Sequence, residues 1–422
     1  MLQVQDYAVN FNREPLLAPF GFKGGYVDEI WHSRVRLTGS GGASYTGRGV
    51  QSVLWSDSGL FSCFSAAGGN ALMLLVSEYC AKRYTTRPCE DPLSMFDAVY
   101  SDVYEYAKRL TGFSALRPTF ALNAMVPADN ALWLLHAAEN GIRTFDELIP
   151  KSCLAPFSAR HGKLAAIPLI TYDTPLEEVR GLAVSGCSIF KIKIGSDPGK
   201  NGDAQKMLEW DMARLREIHS VLREYTTPYV STGRLAYYLD ANGRYDTPDR
   251  VLRLLDFADS IGALNQVVLL EEPFPENSGI DVSSLPVAVA ADESAHTDTD
   301  VEALAGLGYR AVALKPIAKT MSMSFKIAAA AARQGIPCFC ADLTVDPLLV
   351  DFNKCFAARL SPIPGMNIGV LESNGAQNYA RWPDMIQEHP VPDGDWIPVT
   401  DGLFHLSERF YQLSGGILGA DT

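Results

Sequence analysis

Residues 267–273 read Val-Val-Leu-Leu-Glu-Glu-Pro. Four apolar residues run into Glu271 and Glu272, and Pro273 ends the pattern. A continuous apolar run closed by a breaker is expected of a strand buried on both faces, as in a parallel sheet. A carboxylate at the end of such a strand is costly to bury unless positive charge meets it. In a closed β/α barrel that end of the strand is the active-site end. The fold turns on whether neighbouring strands end the same way.

Outward from this stretch, further short apolar runs stand at 167–172, 189–194, 236–240, 287–291, 311–315, 337–341 and 365–371. Amphipathic segments such as 176–184, 203–223, 248–261 and 321–334 lie between them. Eight strands over about 205 residues match a barrel of the (β/α) type in count and size. A doubly wound open sheet would want a Gly-rich turn after its first strand, and residues 171–175, Thr-Tyr-Asp-Thr-Pro, have no glycine.

The first 130 residues have another character. Residues 31–38 alternate as a strand, 44–55 suggest a strand pair, and 66–83 and 92–110 carry helical spacing, as does 127–141 with Pro127 near its start. This is an α+β pattern, expected to form a capping domain over 1–130. The barrel is expected over 131–371, and 372–422 is expected to pack back on the cap. Glycines at 21, 24 and 25 suggest a mobile loop at 19–26.

The 422 residues carry a formal net charge of −13, which argues against nucleic acid and offers a membrane surface no basic footprint. The eight cysteines have no zinc-site spacing and read as buried small hydrophobes in a reducing compartment. The start has neither a basic nor an apolar leader segment, and no apolar run of about 18 residues is evident, so a cytoplasmic protein without a membrane span is expected.

Three successive strands end in acids: Asp240, Glu271 and Asp292, spaced by 31 and 21 residues. Each alone could cap the next helix. Adjacent strands lie about 4.8 Å apart, so the three converge. Carboxylates that close need a counter-charge, and an all-oxygen set suits one Mg²⁺ ion better than zinc. Asn242, Glu272 and Glu293 stand beside these acids and are expected just behind them.

Lysines flank the acids. Alternation in Phe190-Lys191-Ile192-Lys193-Ile194 turns both lysines into the barrel, where each is expected to lower the other's proton affinity. Lys315 shares its face with Ala311 and Ala313, small residues expected to leave room for a ligand. Alternatively, Lys315 simply pairs with Asp292 or Glu293. A carboxylate held by the metal would present its α-carbon between two bases, and the metal would stabilise the enediolate formed when the α-proton leaves.

Lys-x-Lys, Asp-Ala-Asn, Glu-Glu-Pro, Ala-Asp-Glu-Ser and Leu-Lys-Pro, in this order, resemble the enolase superfamily and its muconate-lactonising branch. The resemblance implies a modified (β/α)7β barrel with an α+β cap. It implies Asp240, Glu271 and Asp292 as Mg²⁺ ligands, Lys193 and Lys315 as the acid/base pair, and Lys191 tuning Lys193. Cap segments at 20–26 and 55–64 are expected to reach over a small-molecule carboxylate substrate. Phe20, Phe22, Tyr26, Trp55 and His296 are substrate-binding candidates by position.

The sequence departs from its relatives in places. Residues 337–347 lack the histidine of the mandelate-racemase branch. Strand eight ends Glu372-Ser-Asn374, where dipeptide epimerases often carry Asp-x-Asp to hold an ammonium, so Glu372 and Asn374 are further substrate-binding candidates. The expected chemistry is racemisation, epimerisation or cycloisomerisation by a homo-oligomer, with syn β-elimination or a non-catalytic ligand-binding member as alternatives. A Schiff-base aldolase would not need the three acids.

Overall fold

The computed structural model describes residues 1–22 and 25–419, the side chain of Phe22 excepted. The cap begins with an antiparallel sheet of β1 (Val4–Phe22), β2 (Gly25–Gly39) and β3 (Ser44–Gln51). The expected loop at 19–26 is instead the paired tip of the β1–β2 hairpin, with Phe20 opposite Val27 and Gly21 opposite Tyr26. Lys23 and Gly24, within that expected loop, lie outside the described residues. The second strand expected before Trp55 is also replaced, by the short helix α1 (Val53–Ser56), which Ser52 caps by accepting from Trp55 N.

Three long helices complete the cap: α2 (Ser58–Tyr84), α3 (Pro92–Thr111) and α4 (Pro118–Glu139). Helix α2 has the length and composition of a membrane span, with mean hydropathy 1.6, where none was expected. Its buried residues, such as Met73, Val76 and Cys80, pack against α3, α4 and β2. Helix α4 begins nine residues before Pro127, which falls inside it. Its first residue is also proline, and the preceding Arg117 makes no side-chain cap, so the usual polar start signal is missing. Inside α4, Asn123 and Asn130 donate to the Val50 and Arg48 carbonyls of β3. The same helix runs unbroken across the expected domain boundary at 130/131.

The barrel strands are β4 (Lys163–Ile167) with its continuation β5 (Leu169–Ile170), then β6 (Ile189–Lys193), β7 (Ala236–Asp240), β8 (Val267–Glu271), β9 (Val289–Ala291), β10 (Ala311–Leu314), β11 (Cys338–Cys340) and β12 (Gly369–Glu372). Neighbours pair in parallel from β5 round to β12, and β12 pairs with β4. Because β4 and β5 are one strand interrupted at Pro168, which has no N–H to donate, the sheet closes into an eight-stranded ring. Helices cross between strands except from β8 to β9, where residues 272–288 cross without one.

Below Pro168 the gap between β4 and β6 is filled by β14 (Leu403–His405), which follows β13 (Val399–Thr400) and lies antiparallel to β4. The turn before β6 makes this possible. Gly186 has φ +92°, and a Cβ there would stand 2.6 Å from the Asp401 carbonyl. The tail therefore divides, correcting the expectation for 372–422. Around residues 379–381 it meets β1, with Leu16 bridged to Tyr379 and Arg381 paired with Glu14. From Leu403 onward it belongs to the barrel.

Inside the ring, Ile189, Ala236, Leu269, Ala290, Ala311, Ala313 and Phe339 share one core. Strict alternation back from Glu271 through Leu269 would turn Val267 onto this inner face, but it packs outside with Leu270. The pairing of β7 with β8 slips by one residue after Tyr237, so Val268 and Leu269 both reach the interior, and alternation resumes through to Glu271. The room expected beside Ala311 and Ala313 is occupied: Tyr238 and Phe339 meet edge-on at 5.5 Å across the same core. Small residues on one wall here accommodate large ones from the others.

Candidate active site

The C-terminal ends of β6, β7, β9, β10, β11 and β12 border a cleft roofed by the cap. Lys191, Lys193, Asp240, Asp292, Glu293, Lys315 and Glu372 all line it. Lys193 Nζ lies 2.6 Å from Asp240 Oδ2 and 2.6 Å from Asn242 Oδ1. Lys191 Nζ stands 3.1 Å from Asp240 Oδ2, 3.2 Å from both Glu271 oxygens and 3.1 Å from Glu372 Oε2. On the opposite side of the ring, Lys315 Nζ is 2.5 Å from Asp292 Oδ2.

These contacts set the proton affinities. Burial alone would raise the Asp240 carboxyl, but Lys191 and Lys193 outweigh it and hold the group at about 2. Asp292 is likewise brought below its usual range, with Lys315 and Lys319 overcoming the cost of burial. Burial wins at Glu271, which is pushed up with help from Asp292 and Glu372. The mutual lowering expected of the two β6 lysines fails at Lys191. Burial lowers it, yet Asp240, Glu271 and Glu372 raise it well above the ordinary lysine value. Lys191 is therefore a firmly charged group.

Glu272, whose role the strand pattern left open, ties two strand ends together. Its carboxylate accepts from Asp292 N at 3.0 Å and Ser294 N at 3.2 Å, and from the Ser294 hydroxyl. Its backbone sits at φ +42°, which turns the side chain out of the strand's alternation. Glu293 is fully buried, and neither of its oxygens has a hydrogen-bond partner among the described residues. Its carboxylate and those of Glu271 and Asp292 each offer an oxygen within 4.8 Å of the others. Asp240, expected in that innermost group, is instead engaged by two lysines.

A divalent cation fits this donor set. Every group is a hard carboxylate oxygen, and Asp240, Glu271, Glu272, Asp292, Glu293, Asp342 and Glu372 outnumber the four lysines 191, 193, 315 and 319. The orphaned Glu293 carboxylate, buried without a donor, calls for such a charge.

Several residues here escape a reading of strand ends. Lys319 is fully buried and donates to the carbonyls of Asp292 at 2.6 Å and Ala295 at 3.0 Å. It lies one helical turn past Lys315, in Pro316–Lys319, a spacing that signals a shared face only once the helix is known. Asp342 follows β11 and accepts from Asn374 N at 2.7 Å, and burial next to Glu372 pushes it up to about 7. The acid beside Glu372 thus comes from strand seven, while Asn374 contributes its backbone N–H to hold it.

The cap candidates separate. Phe20 and Trp55 line the cleft, as do Glu372 and Asn374. Tyr26 does not: its side chain is turned out to solvent on the hairpin tip. His296 is held away from the cleft by Glu276, 3.0 Å from its Nε2. Phe22 falls among residues whose side chains are not described. Arg117, which the sequence did not single out, links cap to barrel by pairing with Glu276 at 2.6 Å and donating to the Trp55 carbonyl at 3.0 Å.

Comparison with solved structures finds this fold in a mandelate racemase/muconate lactonizing protein from Herpetosiphon aurantiacus, with TM-score 0.66, 18% identity and 96% of each chain covered. A dipeptide epimerase from Enterococcus faecalis, solved with Mg and the dipeptide L-Leu-L-Tyr, is similar at TM-score 0.62 and 15% identity, over 90% of this chain and 92% of that one. An N-succinyl Arg/Lys racemase from Bacillus cereus is similar at TM-score 0.63 and 14% identity, over 90% and 89%. No curated protein matches the chain by sequence. The sequence profile described as enolase C-terminal domain-like matches residues 175–400, which takes in β6 to β12 and more than half of the chain. The chain belongs to the enolase superfamily, in its mandelate racemase/muconate lactonizing enzyme family.

Proposed function

We propose that this protein is a Mg²⁺-dependent isomerase that removes and returns the α-proton of a small carboxylate. The observation that carries the reading is the placement of Lys193 and Lys315. They sit on the second and sixth strands of an eight-stranded ring, and so face one another across one cleft with the acids between them. The proposed metal ligands are Asp240, Glu271 and Asp292; Glu293 clusters with the last two from its unpartnered position, and Asp240 would exchange a lysine contact for the ion. When bound, the ion would supply the positive charge that stabilises an enediolate.

The remaining roles follow from the side chains. Lys191, firmly charged, attracts and orients the substrate carboxylate. Lys193 and Lys315 carry the proton on opposite faces of the α-carbon, one accepting and the other donating. Asn242 holds Lys193 in place through its 2.6 Å contact. The structural likeness to racemases and epimerases supports isomerisation over elimination.

The test is deuterium exchange at the α-position in D₂O with Mg²⁺, over N-acylated amino acids, dipeptides and hydroxy acids. Exchange that disappears in both Lys193→Ala and Lys315→Ala supports a two-base reaction. Exchange that survives both substitutions overturns it.

A further inference from the structure

We infer that Asp211 is a positioning residue for Lys193: one of its carboxylate oxygens bridges the ends of the second and third barrel strands and so holds Lys193 against Asp240 and Asn242. Its consequence for the reaction rests on the proposed chemistry. The bridge itself rests on geometry.

Asp211 lies on the helix Ala204–Leu222, outside the lining of the cleft, and is fully buried. Its Oδ2 accepts from Gly195 N at 2.7 Å and from the Tyr245 hydroxyl at 2.7 Å. Its Oδ1 accepts from Ser196 N at 3.4 Å. Gly195 and Ser196 follow Lys193 by two and three residues, and Tyr245 follows Asn242 by three. A single oxygen therefore joins the segment that leaves β6 to the segment that leaves β7.

The two segments are in direct contact. Gly195 holds φ +78°, and a Cβ there would stand 2.6 Å from Arg244 Cβ. Ile194 N donates to the Asp240 carbonyl at 2.9 Å, which continues the ladder one step past Lys193. Beyond that step both chains turn, with positive φ at Gly195, Asn242 and Gly243, and Asp211 takes up donors from each.

Lys193 depends on this frame. Its Nζ meets Asp240 Oδ2 and Asn242 Oδ1, both at 2.6 Å and both on the neighbouring strand end. A shift of one strand end against the other changes the two contacts together, and a reacting group displaced by about 1 Å loses about a hundredfold in rate. The acid is kept at a cost. Burial pushes the Asp211 carboxyl up to about 7, and Tyr245, Gly195, Ser196 and Arg244 draw it part of the way back.

The test follows α-deuterium exchange, with Mg²⁺ present, on the separate enantiomers of whichever N-acylated amino acid, dipeptide or hydroxy acid exchanges fastest. Each lysine exchanges the proton presented on its own face. The enantiomer whose exchange disappears in Lys193→Ala marks the Lys193 face. Asp211→Ala is expected to slow exchange on that face at least about tenfold and to leave the Lys315 face within about twofold. Asp211→Asn keeps an oxygen for the two bridging donors and is expected to recover most of the loss. Tyr245→Phe removes one arm of the bridge with little change in volume. It is expected to slow the same face about threefold, and it carries the test where Asp211→Ala does not fold.

A second arm needs no substrate. Trace acetylation with acetic anhydride at one fixed pH, read by peptide mass spectrometry, reports the reactivity of each lysine. In Asp211→Ala and Tyr245→Phe, Lys193 is expected to react at least about threefold faster, because its ammonium loses contacts that hold it charged. Lys315 and the surface lysines are expected to be unchanged.

Equal losses on both faces overturn the inference, as does unchanged labelling of Lys193 or a loss in Asp211→Asn as large as in Asp211→Ala. Exchange slowed equally on both faces removes the bridge and leaves the proposed chemistry standing. Labelling that shifts as expected, in a protein that exchanges no α-proton, does the reverse.

Discussion

The ring of Trp55 lies 4.6 Å above the ammonium of Lys315. One residue belongs to the cap and the other to the sixth barrel strand, so the cap completes the surroundings of a proposed base. A cation against an aromatic face, in a site closed to water, gains more than it would at the surface. The position of Trp55 depends in turn on Arg117, which donates to its carbonyl and pairs with Glu276 of the barrel.

Loosening that clamp is expected to act on binding before chemistry. Arg117→Gln should raise KM several-fold with a smaller change in kcat, and cost on the order of 2 kcal/mol of stability, because it removes the guanidinium that pairs with Glu276 in a mostly buried place and leaves His296 as that carboxylate's neighbour. Steady-state kinetics and urea unfolding read the two effects. A loss in kcat alone would contradict the positioning of Trp55.

Metal affinity separates the acids. Glu271→Gln and Asp292→Asn are expected to weaken Mn²⁺ binding, followed by electron spin resonance, at least about a hundredfold. Glu293→Gln should weaken it about tenfold, at the lower edge of what loss of a supporting group costs. An unchanged affinity in Glu293→Gln would place that carboxylate outside the ion's surroundings. Thorough chelation should abolish α-proton exchange in the unsubstituted protein, and added Mg²⁺ should restore it.

Asp129, which does not line the cleft, gives a pH signature of its own. It accepts from Ser322 N at 3.0 Å and from the Ser322 hydroxyl, fastening α4 to a barrel helix, Met321–Arg333. Burial raises its pKa from the ordinary 3.8 to about 6. The folded protein therefore keeps this proton more tightly than the unfolded chain. The associated stability is complete below about pH 4 and is lost as pH rises through about 6. Asp129→Asn, which cannot ionise, should flatten this part of the stability curve. Melting temperatures of both proteins from pH 4 to 7 check the sign: the protein with Asp129 should lose more stability across that interval.

Gly186→Ala is expected to destabilise by about 2–4 kcal/mol, because the new Cβ meets the Asp401 backbone and the residue must hold a positive φ. Chemical denaturation measures it. A change under about 0.5 kcal/mol would show that the β13–β14 hairpin does not pack tightly against this turn.

Much of this molecule is legible in its chain. The bounds of β7 and of the helix Leu176–Val184 were expected to the residue, and those of Met321–Arg333 to within one, since a buried parallel strand and an amphipathic helix each write their period locally. That Asp240, Asp292, Lys191, Lys193 and Lys315 face one opening, with Glu271 buried against Lys191, is what strand ends one unit apart dictate.

The rest was decided by contacts between distant residues. The slip at Val268 comes from how β8 pairs with β7, and the closure at Pro168 from β5 finding β6 while β4 finds β12. Asp342 and Lys319 enter the site because a loop and a short helix turn them inward. The firm charge of Lys191 reflects three carboxylates from three other strands, which outweigh the neighbouring lysine that alternation alone suggested. The sequence by itself determined which strand ends carry charge, because periodicity is a local property. Only the tertiary structure decided which charges meet, which remain unpartnered at Glu293 and Trp55, and what apolar roof the cap lays over them, because burial and pairing depend on the whole packed chain.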